Sequence, residues 1–220
     1  MSAKHPLWDS PVRIIHWAIA LMIPASWWTA EEGYMEIHQY LGLSVLGLVI
    51  TRLVWGIIGS PQARFSDFVR GPGAVLAYLK GAPAQTPGHN PLGGWSVVTL
   101  WALLIAQVLT GSVSTDDVLF DGPFRHAIDS SLANRLAELH ETLFNILLGF
   151  VALHLASVLF YEFRRRQRLL LPMIKGASEG RTGTGPARPW YWALLVAFAV
   201  AGLLAGALEM APPPPASAYW

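Results

Sequence analysis

HETLFNILLGFVALH, residues 140–154, decides the fold. Its interior is apolar apart from Glu141, Thr142 and Asn145. Followed outward, the apolar run spans about 136–163, longer than the roughly 20 residues a bilayer-spanning helix needs. Lipid offers no partners to backbone N–H and C=O groups, so such a segment must be helical. Four other stretches qualify or nearly do: 12–29, 37–58, 94–113 and 190–208. The sequence therefore predicts an all-α integral membrane protein. A four-helix transmembrane bundle covers 8–163, and a flexible cytoplasmic linker covers 164–189. A fifth C-terminal transmembrane helix follows at 190–208, then a Pro-rich tail at 209–220. Pro24 is expected to kink the first helix, and 73–80 to form a short interfacial helix.

Composition agrees. Charged residues are 13%, against about 25% in an average globular protein. Apolar residues are 53%, and mean hydropathy is +0.41. That excludes disorder. A net charge of +1 gives no footprint for nucleic acid. The chain has no cysteine. Disulfides, thiolate catalysis, Cys-held iron–sulfur clusters, Cys-type zinc sites and covalently attached c-type haem are thus excluded. The first apolar stretch also admits a reading as a secretory signal, with Lys4 and Arg13 as its charged region. His16 inside it, and Trp27 and Trp28 where small residues should precede cleavage, argue against that.

Basic residues set the orientation. With a cytoplasmic N-terminus, all but Arg125 and Arg135 of the 15 Lys and Arg fall inside or at inner helix ends. They include Lys4, Arg13, Arg52, Arg64, Arg70, Lys80, Arg164, Lys175, Arg181 and Arg188. The outer loops are acidic instead: Glu31, Glu32, Glu36, Asp116, Asp117, Asp121 and Asp129. Five spans then place the C-terminus outside.

Four of the seven histidines fall within the expected spans: His16, His38, His140 and His154. Ionisable groups inside a membrane are costly and mark function; the plain alternative is a histidine hydrogen-bonded to a neighbouring helix. His140 and His154 are 14 residues apart, which is about 40° short of four turns and about 21 Å along a helix. They share a face and cannot share one metal. His16, near the inner end of the first helix, is level with His154. His38, at the outer start of the second, is level with His140. Two pairs of imidazoles on two levels suit two flat macrocycles held between helices. Imidazole also suits Cu, Zn and Ni, so a metal-binding transporter is the rival from another class. Arg52 follows His38 by 14 residues and lies one level lower; Arg13 precedes His16 by three. Both can snorkel to headgroups or meet the carboxylates of an inner-level haem. Gly42, Gly47, Gly111 and Gly149 permit close approach of a flat cofactor or of a helix.

At this point the chain resembles the bacterial cytochrome b561 family, which includes the b-type cytochrome subunits of nickel–iron hydrogenases. WDSPVRIIHW, IHQYLG followed by TRLVWG, ARFSDF with GHNPLGGW, and HETLFNILLGFVALH carry the resemblance over residues 8–163. The resemblance implies two haem b groups, each with two His ligands. His16 and His154 would form the inner pair, His38 and His140 the outer. It also implies electron transfer between quinone and a redox partner in a bacterial inner membrane. The fifth helix has no His, so it should not ligate haem. Its Gly202 and Gly206 form a small-residue face for a partner helix. Of the remaining histidines, His5 is expected in solvent. His89 is open to a quinone-site role and His126 is without one. The acidic outer loops fit a basic periplasmic partner such as a cytochrome c, and equally fit ordinary positive-inside sorting. A haem-bearing anchor for a catalytic oxidoreductase subunit is the third reading.

Overall fold

A computed structural model describes residues 5–83, 88–115, 120–177 and 182–213. Lys4, Asp116, Asp117, Arg181, the middle of the expected linker and the end of the tail lie outside them. The described chain is helical. The long helices are α1 (Ser10–Glu31), α2 (Met35–Ile58), α5 (Pro91–Ser112), α6 (Ser130–Leu159) and α8 (Tyr191–Glu209). Short ones are α3 (Phe65–Phe68), α4 (Pro72–Leu79) and α7 (Leu170–Lys175). Among the described residues there is no strand, only an isolated bridge between Thr115 and Asp121.

Four of these helices are long and apolar enough to cross a membrane: α2, α5, α6 with its continuation to Arg164, and α8. The sequence predicts five. α1 has the length, 22 residues, or about 33 Å. Arg13, His16, Pro24, Ser26 and Thr29 dilute its apolarity. Its place in the bundle comes from packing: α1 lies along α2, α2 also meets α5 and α8, and α5 pairs with α6. α1 runs unbroken through Pro24.

Local chemistry fixes the ends. Asp9 caps α1, its Oδ1 accepting from Val12 N at 2.9 Å, with Pro11 in the first turn, where no N–H is needed. Asp129 caps α6 in the same way, accepting from Leu132 N at 3.0 Å. That cap starts α6 at Ser130, six residues before the expected 136. The added turns, SSLANR, are polar and invisible to a hydropathy reading. After Leu159 the helix loosens into a π-turn, Phe160–Arg164.

Buried residues fall into two layers. Ile15, Ile19, Val45, Val49, Leu104 and Leu147 fill the middle of the bundle. Leu7, Trp8, Val12, Trp55, Ala63 and Ala193 close the basic end, the one that carries Arg52. At that end the N-terminal segment docks on α7, with Leu7 N and Trp8 N both donating to Gly176 O at 2.8 and 3.1 Å. The expected flexible linker is partly tied down here. Gly183 N donates to His5 O at 2.9 Å, and Arg188 N to Ser60 Oγ at 2.8 Å. The Gln62 amide oxygen accepts from Thr184 N at 3.3 Å and its nitrogen donates to Pro61 O at 3.0 Å. A Cβ at Gly183 would collide with Pro6 O, so only glycine fits. Composition shows the glycines but not the backbone they make room for.

Candidate cofactor site

Two histidine pairs lie between the long helices. His16 of α1 and His154 of α6 have ring centroids 6.5 Å apart. His38 of α2 and His140 of α6 have theirs 6.2 Å apart. The structure thus brings together the partners that helix geometry places on common levels, and it keeps the two levels apart.

The spacing suits a metal between the rings. A metal–nitrogen bond of about 2 Å plus an imidazole radius of about 1.1 Å puts two opposed ring centres about 6 Å apart. Direct hydrogen bonding between two imidazoles would draw them closer. The surroundings fit as well. His38 Nδ1 is 2.8 Å from Ser26 O, with Ser26 Oγ at 3.1 Å. His140 Nδ1 is 2.8 Å from Gln107 O. A carbonyl only accepts, so Nδ1 carries the hydrogen in both rings and Nε2 holds the lone pair that could ligate a metal; on His140 that nitrogen faces the Gln107 amide nitrogen at 3.2 Å. His16 Nδ1 is buried and without a hydrogen-bond partner. The four His therefore fit a group that is ligated from both faces.

α5 builds one wall of the His38–His140 level. A Cβ at Gly111 would lie 2.6 Å from His140 Cε1; the missing side chain is the space the imidazole occupies. Thr110 Oγ1 stands 3.4 Å from His140 Nδ1, and Gln107 Nε2 stands 3.2 Å from His140 Nε2. Gln107 and Thr110 are polar residues in an apolar helix. That signal is present in the sequence, but the histidines overshadow it and sequence reasoning missed both residues. An added Cβ at Gly42 or Gly149 would meet nothing within 4 Å, and Gly149 lies on an exposed face of α6. Gly47 instead faces Leu204 and Val200 of α8; a Cβ there would stand 3.4 Å from Leu204 Cδ1, which is helix packing.

The two arginines separate. Arg52 is buried, 4% exposed. Its Nη2 donates to Ala63 O at 3.0 Å, its guanidinium carbon lies 4.8 Å over the Trp101 ring, and its Nη1 has no partner. Arg13 turns to α7, donating to Ile174 O and to Ser10 Oγ at 3.3 Å. Beside them Asp9, also buried, accepts from Trp55 Nε1 at 2.9 Å through its second oxygen. This locks the start of α1 to the end of α2. Asp9 and Trp55 sit within the motifs WDSP and TRLVWG, but their mutual bond joins positions 46 residues apart, which no local pattern reveals.

Of the other histidines, His89 packs against the Trp8 and Phe68 rings, at 4.8 and 4.9 Å. His126 Nε2 lies 3.1 Å from Asp121 Oδ2. Below the His16–His154 level, Tyr78 of α4 and Tyr161 of the π-turn share a hydroxyl contact of 2.6 Å. Burial, then the Tyr161 hydroxyl, push the Tyr78 phenol up to about 12. At the opposite, acidic end, an open cleft of about 730 Å³ is lined by Tyr34, Glu36, Ile37 and Phe120 among others. Glu31, Glu32, Glu36 and Asp121 are exposed there.

A sequence profile described as prokaryotic cytochrome b561 matches residues 7–176. The chain belongs to that family of membrane-embedded b-type cytochromes, whose business is electron transfer. No curated protein and no solved structure matches the chain.

Proposed function

We propose that this member of the prokaryotic cytochrome b561 family is a di-haem transmembrane cytochrome. In this reading it relays electrons between membrane quinone and a redox partner at the periplasmic face of a bacterial inner membrane. The observation that carries the reading is the double pairing of imidazoles at 6.5 and 6.2 Å. His16 and His154 hold one haem b, and His38 and His140 the other. Each bound haem supplies a one-electron iron couple with both axial positions filled, which suits electron transfer rather than oxygen chemistry.

The chain's own groups do the rest. The Ser26 and Gln107 carbonyls hold His38 and His140 in the ligating tautomer. Arg52 keeps a positive charge at the depth of the His16–His154 pair. Lys and Arg positions put that end, with the N-terminus, in the cytoplasm, and α8 as the last of five spans carries the C-terminus outward. The exposed acids at the other end attract a basic partner such as a cytochrome c. A second reading is a haem-bearing anchor of a larger oxidoreductase, with Gly202 and Gly206 of α8 as the small-residue face for a partner helix.

The test is the pairing. His16→Ala and His154→Ala should each perturb one and the same haem spectrum, and His38→Ala and His140→Ala the other. If His16→Ala and His38→Ala affected a common haem, this assignment of ligands would be wrong.

A further inference from the structure

We propose that the face of α6 turned away from the histidines is a dimerisation seam. Its occupant is α6 of a second copy of this chain, running parallel to the first across a two-fold axis normal to the membrane. The pairing is independent of how many haems the chain holds.

The first observation is a heptad. Glu138, Thr142, Asn145, Gly149, Ala152 and Ala156 follow one another at alternating steps of four and three residues, and all six are exposed. At 100° per residue they lie about 120–200° around the helix from His140. Ala133 and Leu147, the buried residues of α6, lie within about 40° of His140, as does His154. The seam is therefore on the far side of α6 from the bundle. Steps of four and three are the spacing of a left-handed helix pair crossing at about 20°, the commonest pairing in membranes. From Asn145 inward the seam residues are small. Larger exposed side chains flank them, Ile146 and Leu153 on one side and Leu148 and Leu155 on the other. The face is a shallow furrow between two apolar ridges, into which a second helix backbone can come close.

The second observation is the polarity of the furrow, and it is independent of the spacing. α6 is long and apolar enough to cross a membrane, and Asn145 stands about 7.5 Å deeper along it than His140. An exposed carboxamide at that depth meets no water, and lipid gives it no partner. Asn145 Nδ2 donates to Glu141 O at 3.0 Å, which uses one of its two N–H groups; a second donor and an acceptor belong to the same side chain. Lys and Arg positions give both copies the same orientation, so a two-fold pair of α6 helices is parallel and each residue meets its own counterpart at one depth. Asn145 both donates and accepts, and so complements Asn145 of the second copy. Nearer the acidic end, the exposed Arg135 precedes Glu138 by one heptad step. Across the axis, Arg135 of each copy then stands beside Glu138 of the other, which makes two pairs of opposite charge. Lipid requires none of this order; a second α6 uses all of it.

The chain has no cysteine, so a single introduced one reports the contact. Purified full-length, haem-loaded protein in phosphatidylcholine vesicles, treated with copper phenanthroline, is the test. Asn145→Cys, Ala152→Cys and Ala156→Cys should each yield a cross-linked species of twice 24.0 kDa. Leu148→Cys and Leu155→Cys on the ridge should yield several-fold less. Added to Ala152→Cys, Asn145→Leu should weaken association about fivefold, which corresponds to about 1 kcal/mol of interhelical hydrogen bonding. Arg135→Glu should weaken it too, and Arg135→Glu together with Glu138→Arg should restore it. Haem content should match the unaltered protein throughout, because the seam lies across α6 from His140 and His154. Equal cross-linking at seam and ridge positions, or a monomer at every position, overturns the proposal. So does stronger cross-linking through Leu203→Cys on α8, which would place the contact between copies on another helix.

Discussion

The two ends of the molecule are built to different standards. At the basic end, the N-terminal segment, α7 and the described part of the linker converge on a buried Asp9–Trp55 bond and a buried Arg52. At the acidic end, a short turn joins α1 to α2, Trp27 and Trp28 are half exposed, and an open cleft lies beside Glu36. Cross-linked backbone at one end and accessible carboxylates at the other teach a division of labour. The basic end sets where the helices stand, and the acidic end is left free to meet something.

The largest test of that contrast is a pair of tryptophans. Trp55 is fully buried and donates to Asp9. Trp55→Ala should cost about 3–5 kcal/mol, as large core truncations do, and leave Asp9 short of a donor. Trp28 is 55% exposed, and Trp28→Ala should stay within about 0.5 kcal/mol. Thermal unfolding in one detergent reads both. Equal shifts would mean that the ends do not differ as described.

A smaller effect separates the glycines. Gly111→Ala pushes a methyl group into the His140 ring, so the haem held by His38 and His140 should be weakened or spectrally shifted. Gly149 has nothing within 4 Å of an added Cβ. If a flat ligand fills that space, Gly149→Ala disturbs haem binding too; if lipid or a neighbouring helix fills it, haem binding does not change. Haem content and α-band position after purification distinguish these outcomes.

What the sequence reveals, and what it hides, follows from the range of the interactions. The helices and the levels of His16, His38, His140 and His154 are legible because helical rise and apolar period are local regularities. The start of α6 is not, because an N-cap rather than hydropathy sets it. α1 reads like the other spans, although it is held by packing more than by apolarity. Gln107 and Thr110 escape notice because an isolated polar residue in an apolar helix has many explanations until a ring is seen against it. The Asp9–Trp55 bond and the docking of Gly183 on Pro6 join distant parts of the chain. Neither has a periodic signature.

The smallest predicted effect lies at the acidic end. Glu31→Gln, Glu32→Gln and Glu36→Gln together should leave stability within about 0.5 kcal/mol. They should slow reduction of, or by, a basic cytochrome c and flatten the salt dependence of that rate. A rate indifferent to ionic strength in the unaltered protein would leave these carboxylates as products of membrane sorting alone.

The central claim is that this chain holds two haems, one for each histidine pair. Haem extracted with acid and acetone from the purified full-length protein, measured against polypeptide, tests it most directly. Extraction should be complete, because no cysteine exists to tether the group, and the ratio should be about two. A ratio of about one, or haem that stays with the precipitated protein, would contradict the claim.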